Sequence, residues 1–140
     1  MTFGPQLERL LAVAASARLF ALGGRRDAEG DPPSALHVVP RGKGKPRSLA
    51  LGAPILALVF VDDELVLAGC GDGRLRAIVV GDGEPAVRAE LDLGAAVRAV
   101  LVVDAGTALA TTADGALHRL TLEVRDARPT LTARGRVAVA

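Results

Sequence analysis

Apolar residues in this chain come in short runs, each closed by Gly, Asp or Pro, which is the pattern of strands and not of long helices. The clearest runs are Ile55–Val61, Glu64–Gly69, Arg74–Val80 and Ala86–Leu93. A second set follows at Val97–Val103, Ala108–Thr112, Ala116–Glu123 and Pro129–Arg134. Asp62-Asp63 and Asp104-Ala105-Gly106 interrupt each set after its first run, and Gly71-Asp72-Gly73 and Asp114-Gly115 after its second. Asp-Gly suits a tight hairpin because it tolerates the positive φ of primed turns. ILALVFV and VRAVLVV are apolar almost throughout, as expected of strands covered on both faces. AVRAELDL instead alternates, with Val87, Ala89, Leu91 and Leu93 on one face and Arg88, Glu90 and Asp92 on the other. Only Pro5–Ala17 has the Leu, Ala, Glu and Arg content of a helix, a local alternative to strand.

The two sets are copies of one unit. Gly52-Ala53-Pro54-Ile55 aligns with Gly94-Ala95-Ala96-Val97, and Asp72-Gly73 with Asp114-Gly115, at the same spacing of 42 residues. Turn residues and apolar residues stay in register between these anchors. A weaker copy precedes them: LLAVAASARLFALGG takes the place of the first two runs, SALHVVP the third and KPRSLALG the fourth. There the Asp-Gly turn is replaced by the longer insert RRDAEGDPPS. Fixed-period self-similarity of this length is the mark of repeat architectures. The units run over residues 6–51, 52–93 and 94–135, and 136–140 reads as the opening strand of a further unit.

Units of this length with four short strands, a small-residue start and an Asp-Gly turn between the second and third strands resemble WD40-type β-propeller blades. GAAVRAVLVVDAGTALATTADGALHRLTL carries the resemblance best, and AGCGDGRLRAIVVGDGEPAVRAELDLG is also similar to the PQQ-like blade of quinoproteins. The Trp-Asp pair of the WD40 family would fall at Ile78-Val79 and Leu120-Thr121 and is absent; the Gly-His pair would fall at Gly52-Ala53 and Gly94-Ala95 and lacks its His. Asp72 and Asp114 match the family's inner-turn aspartate. The resemblance implies an all-β fold of about three four-stranded antiparallel blades of a degenerate, bacterial type. The family's side-chain network cannot form in its usual shape, so Ala, Val and Leu packing is expected to hold the blades. Three blades do not close a propeller, so the expectation is a partial ring, or one completed by a longer chain or further copies.

Composition narrows the function. Of 140 residues, 50% are hydrophobic and 2% aromatic, with no Trp or Tyr, which weakens any role that needs ring stacking. A single cysteine, Cys70, excludes a disulfide within the chain. The net charge is +1, with an excess of base in the first fifty residues and of acid after them, well short of a nucleic-acid footprint. The N-terminal apolar run is preceded by Glu8 and Arg9 and interrupted by Arg18, unlike a secretory signal, and a cytoplasmic protein is expected.

Candidate chemistry is sparse. Gly69-Cys70-Gly71-Asp72-Gly73 has the glycine spacing of a dinucleotide loop, but a strand-like run follows it where that motif needs a helix. Cys70 lacks a neighbouring His in sequence; His37 and His118 lie in separate units, and Cys70 reads as a small apolar filler. No spacing suits zinc or a calcium loop, so no cofactor or metal is expected. Arg74, Arg76, Arg88, Arg98 and Arg119 recur on strands, and most read as solvated positions. The densest basic stretch is Arg41, Lys43, Lys45 and Arg47, among Gly42, Gly44 and Pro46. It reads as a hairpin tip.

The expected function is a non-catalytic protein-interaction or scaffold module, not an enzyme, since loops on a rigid frame carry recognition. Its candidate contact residues are Arg25, Arg26, Asp27, Arg41, Lys43, Lys45 and Arg47, with Asp72, Gly73, Asp114 and Gly115 as structural turn residues. The expected partner is a protein, with a homo-oligomer or a larger propeller as further possibilities. The alternatives are a ligand-binding or quinoprotein-like propeller domain, or a phosphate or nucleic-acid contact through residues 41–47.

Overall fold

A computed structural model describes residues 8–26, 34–81 and 83–139. The described residues form twelve strands and no helix: β1 (Glu8–Ala15), β2 (Leu19–Arg26), β3 (Ala35–Pro40), β4 (Arg47–Ala50), β5 (Ile55–Asp62), β6 (Leu65–Cys70), β7 (Arg74–Val79), β8 (Ala86–Asp92), β9 (Val97–Asp104), β10 (Thr107–Thr112), β11 (Ala116–Arg125) and β12 (Arg128–Ala138). They make three four-stranded antiparallel sheets, each an uninterrupted meander in chain order: β1 to β4, β5 to β8, and β9 to β12. These are propeller-type blades. The segment weighed as a helix, Pro5–Ala17, holds β1 instead, where pairing to β2 overrides a weak helical preference.

The first strands of the three blades lie side by side, β1 on β5 and β5 on β9. The middle blade is therefore packed on both faces, and every residue of β6 is buried. Ile55, Val66, Ala68, Cys70 and Ile78 form one core with Leu19, Ala21, Leu36 and Val38 of the first blade. Leu65, Leu67, Leu75 and Ala77 form the other with Val97, Ala108, Ala110 and Leu120 of the third.

Close approach between blades depends on two glycines. A Cβ on Gly23 would stand 2.7 Å from Ile55 Cδ1, and one on Gly69 would stand 2.6 Å from Val97 Cγ1. Each glycine faces the residue that opens the next blade. The first strands also share one irregularity: register shifts fall between Leu10 and Ala12, Ile55 and Ala57, and, opposite Thr111 and Thr112, between Val97 and Ala99. Such bulges re-aim a strand.

Four expectations are corrected. Residues 136–138 do not open a further strand; they finish β12, pairing with Ala116–His118, and Ala140 lies outside the described residues. VRAVLVV is covered on one face only: Val97, Val100 and Val102 pack against the middle blade, while Leu101 and Val103 are exposed. The alternation of AVRAELDL breaks at Arg88, where a bulge pairs Val87 with Ile78 and Ala89 with Ala77. Val87 therefore packs toward the first blade, and Ala89 and Leu91 toward the third. The Asp-Gly hairpins are not primed turns. Only Gly73 (φ 88°) and Gly115 (φ 83°) are left-handed there, each donating its N–H back to Cys70 or Thr112 O. A primed hairpin instead joins β11 to β12, where Asp126 (φ 51°) and Ala127 (φ 62°) both take the left-handed conformation.

Candidate interaction surface

The basic stretch connects β3 to β4 as a hairpin tip, and the structure gives its side chains different tasks. The Arg41 guanidinium lies 4.6 Å from the centre of the Phe20 ring, a cation–π contact. Arg47 reaches into the middle blade. Its Nη2 donates to Val80 O at 2.8 Å, and its Nη1 donates to Gly81 O at 2.5 Å and to Gly83 O. It therefore clamps the first blade to the loop between β7 and β8. Lys43 and Lys45, the chain's two lysines, are exposed and form no ion pair among the described residues.

These residues border an open cleft of about 750 Å3, lined on one side by Arg18, Arg41, Lys43, Lys45 and Arg47 and on the other by Asp63, Glu64 and Glu84. Asp63 Oδ1 accepts a hydrogen bond from the Arg18 backbone N–H at 3.2 Å, joining the two blades across the cleft floor. The sequence marks Asp62, Asp63 and Glu64 as a solvated acidic turn, but it does not show that Arg18, Asp63, Glu64 and Glu84 share a cleft with residues 41–47, because nothing local links that turn to a hairpin far behind it. Arg25 and Arg26 belong to β2, and their side chains, like Asp27, lie outside the described residues.

The inner-turn aspartates are structural centres. Asp72 receives both terminal nitrogens of Arg76, at 3.1 and 2.7 Å, and the Arg74 backbone N–H. Arg76 Nε donates to Glu90 Oε2 at 2.8 Å on the outer strand, with Arg76 only 6% exposed. The Arg76 guanidinium holds the Asp72 carboxyl below the usual range, and that pairing in turn favours the charged guanidinium. Cys70 lies fully buried beside this group, and burial pushes its thiol up, away from a nucleophilic thiolate.

In the third blade Thr112 Oγ1 donates to Asp114 Oδ1 at 2.5 Å, which makes it the acceptor for His118 Nε2–H at 3.0 Å. Arg136 Nη2 donates to Asp114 Oδ2 at 2.9 Å. The Thr112 hydrogen bond first, and Arg136 second, keep the Asp114 carboxyl low. Burial, with Arg136 adding to it, lowers His118. This Thr, His and Asp set has no relay geometry: the carboxylate bonds the hydroxyl and not the imidazole, so it braces a turn.

Lining up the blades shows a signal that the sequence held. His37, Arg76 and His118 are each the third residue of the blade's third strand, and their cross-strand partners are Ser48, Glu90 and Arg136. His37 Nδ1 lies 2.9 Å from Ser48 Oγ. The blades therefore carry a polar network of their own in addition to aliphatic packing. Among the described residues, no three His, Cys, Asp or Glu side chains come together to hold a metal ion.

No protein-family profile matches the chain. No curated protein matches it either. Solved structures do. Sqt1 from Saccharomyces cerevisiae, a WD40 propeller protein, superposes with a TM-score of 0.73 at 13% identity, over 95% of this chain and 36% of that one. Sqt1 from Chaetomium thermophilum gives 0.71 at 16% identity, over 96% and 37%. BamB from Moraxella catarrhalis, also a propeller, gives 0.63 at 18% identity, over 81% and 34%. The chain thus spans about a third of the length of the solved structures it matches. The likeness, like the three meanders, is to WD40 and PQQ-like β-propeller blades: the chain has the fold of a partial propeller.

Proposed function

We propose that this chain is a non-catalytic protein-interaction module whose contact surface is the cleft beside residues 41–47. The observation that carries the reading is the pairing of two free lysines with a fixed rim. Lys43 and Lys45 stand exposed, while Arg41 and Arg47 on either side are held by Phe20 and by the carbonyls of the middle blade. A rigid frame that presents unpaired basic charges beside an acidic wall suits recognition of a protein segment that carries both signs of charge. The propeller fold shared with Sqt1 supplies such a rigid frame for loops.

The acidic wall of the cleft favours protein over nucleic acid. A phosphate backbone that reached Lys43 and Lys45 would also meet Asp63, Glu64 and Glu84, all of which line the same cleft. A polypeptide can answer both signs of charge.

The test is a titration of a fluorescent peptide carrying both acidic and basic residues, beside a duplex DNA, followed by anisotropy at low salt. Peptide binding that vanishes in the Lys43→Glu, Lys45→Glu double variant supports the reading. Equal binding by that variant, or tighter binding of the duplex, overturns it.

A further inference from the structure

We infer that the segment recognised in the cleft is an extended polypeptide in which acidic and basic residues alternate. The inference rests on reading the cleft as a protein-contact surface, and adds the order of the charges. The cleft follows the joint between the first and middle blades, at the end of the sheets where β1 turns into β2, β3 into β4, β5 into β6 and β7 into β8. Each blade supplies one wall and one sign of charge. The first blade contributes Arg18 from its inner turn and Lys43 and Lys45 from its outer hairpin. The middle blade contributes Asp63 and Glu64 from its inner turn and Glu84 from its outer loop. Both signs are therefore present at the inner and the outer end, and charge is separated from wall to wall, not from end to end.

Hydrogen bonds between the blades set the spacing of the walls at both ends. At the inner end Asp63 Oδ1 accepts the Arg18 backbone N–H at 3.2 Å. At the outer end Arg47 Nη2 donates to Val80 O at 2.8 Å, and its Nη1 to Gly81 O at 2.5 Å. The walls are held from collapsing onto one another, and Lys43, Lys45 and Glu84 stay exposed.

An extended chain points successive side chains to opposite sides. Laid along the joint, it sets residues i and i+2 against one wall and i+1 and i+3 against the other. Lys43 and Lys45 have that same spacing of two in their own chain. Acids at i and i+2 then meet Arg18 and the lysines, and the bases between them meet Asp63, Glu64 and Glu84. A segment whose acids all precede its bases would set half of its charges against like charge, and such juxtaposition rejects a partner of equal composition.

The test uses the full chain and two fluorescent peptides of identical composition, one alternating Glu and Lys, the other with every Glu before every Lys. Anisotropy is read at low salt. The alternating peptide should bind about tenfold tighter, a gap that narrows as salt rises. Glu84 is exposed, so Glu84→Lys folds, as far-UV circular dichroism will report. That variant should weaken the alternating Glu/Lys peptide several-fold and bind an alternating Glu/Gln peptide more tightly than the parent does. Equal binding of the two Glu/Lys peptides, or tighter binding of the block peptide, overturns the alternation and leaves the cleft a protein contact. Binding of neither overturns the reading of the cleft itself, and the alternation with it. An alternating peptide indifferent to Glu84→Lys takes the acidic wall out of recognition and overturns the inference too.

Discussion

Arg47 separates a structural role from a binding one, and Arg47→Ala measures it. Two of its three hydrogen bonds, to Val80 O and Gly81 O, are partly buried, and the third, to Gly83 O, is exposed. Bonds from a charged donor contribute roughly 1.5–3 kcal/mol each when shielded and much less in water. Counting the partly buried pair at the low end and little for the third gives a loss of about 2 kcal/mol, allowing water into the vacated space. For a chain of this size that lowers Tm by roughly 4–8 °C. Differential scanning calorimetry on the parent, Arg47→Ala, Arg47→Lys and Lys43→Ala/Lys45→Ala decides the matter. Lysine should recover little, because one ammonium cannot reproduce the planar fork that spans three carbonyls. The double lysine variant should melt with the parent, within about 1 °C, since exposed charges away from such features change stability by under roughly 0.5 kcal/mol. If Arg47→Ala melts with the parent, or the lysine pair falls as far, the clamp does not join the two blades.

Three further outcomes follow from the same geometry. Ala127→Gly should stabilise the chain by about 1 kcal/mol in urea denaturation, because Ala127 holds φ 62° and a left-handed non-glycine residue carries a cost of about that size. Gly69→Ala should destabilise by about 1–3 kcal/mol, since its Cβ would meet Val97 Cγ1 at 2.6 Å and the joint between blades must open. His118 is lowered, so the unfolded chain takes up its proton first as pH falls. Stability is then fully present above about pH 6.5 and declines as pH drops through the folded value. His118→Asn should flatten the slope of urea midpoint against pH between about 7 and 5, and an unchanged slope would remove His118 from the account.

The strands and the period were legible because both are local. Each strand is a short apolar run ended by residues that turn the chain, and Asp72-Gly73 and Asp114-Gly115 mark the same hairpin in two blades. The phase of β8 was not legible, because the bulge at Arg88 arises from pairing with Ala77 and Ile78 and leaves no mark in AVRAELDL itself. The clamp was hidden for a different reason: Arg47 and the carbonyls it holds are 33 to 36 residues apart, and backbone acceptors have no residue identity to read. The histidines were open to reading. Aligning Ala35-Leu36-His37 with Arg74-Leu75-Arg76 and Ala116-Leu117-His118 places a polar residue at one blade position each time.

That position accounts for how blades without an aromatic signature keep their register. A sheet of Ala, Val and Leu rows gains nearly the same packing if its outer strand slides by two residues, so apolar burial alone specifies the pairing weakly. A hydrogen-bonded polar pair does not survive such a slide. With β8 displaced, Arg76 Nε would lose Glu90 while remaining almost fully buried, and an unsatisfied buried donor on a charged group costs more than a lost aliphatic contact. Asp72 fixes the same guanidinium from the turn side, so turn, third strand and outer strand are held by one side chain. The third blade reaches the same end through other chemistry: Asp114 takes Thr112 from the second strand and Arg136 from the fourth, and Thr112 takes His118 from the third. Conformational specificity in the second and third blades thus rests on one polar cluster at the inner turn of each, and their aliphatic faces are left free to serve as joints between blades.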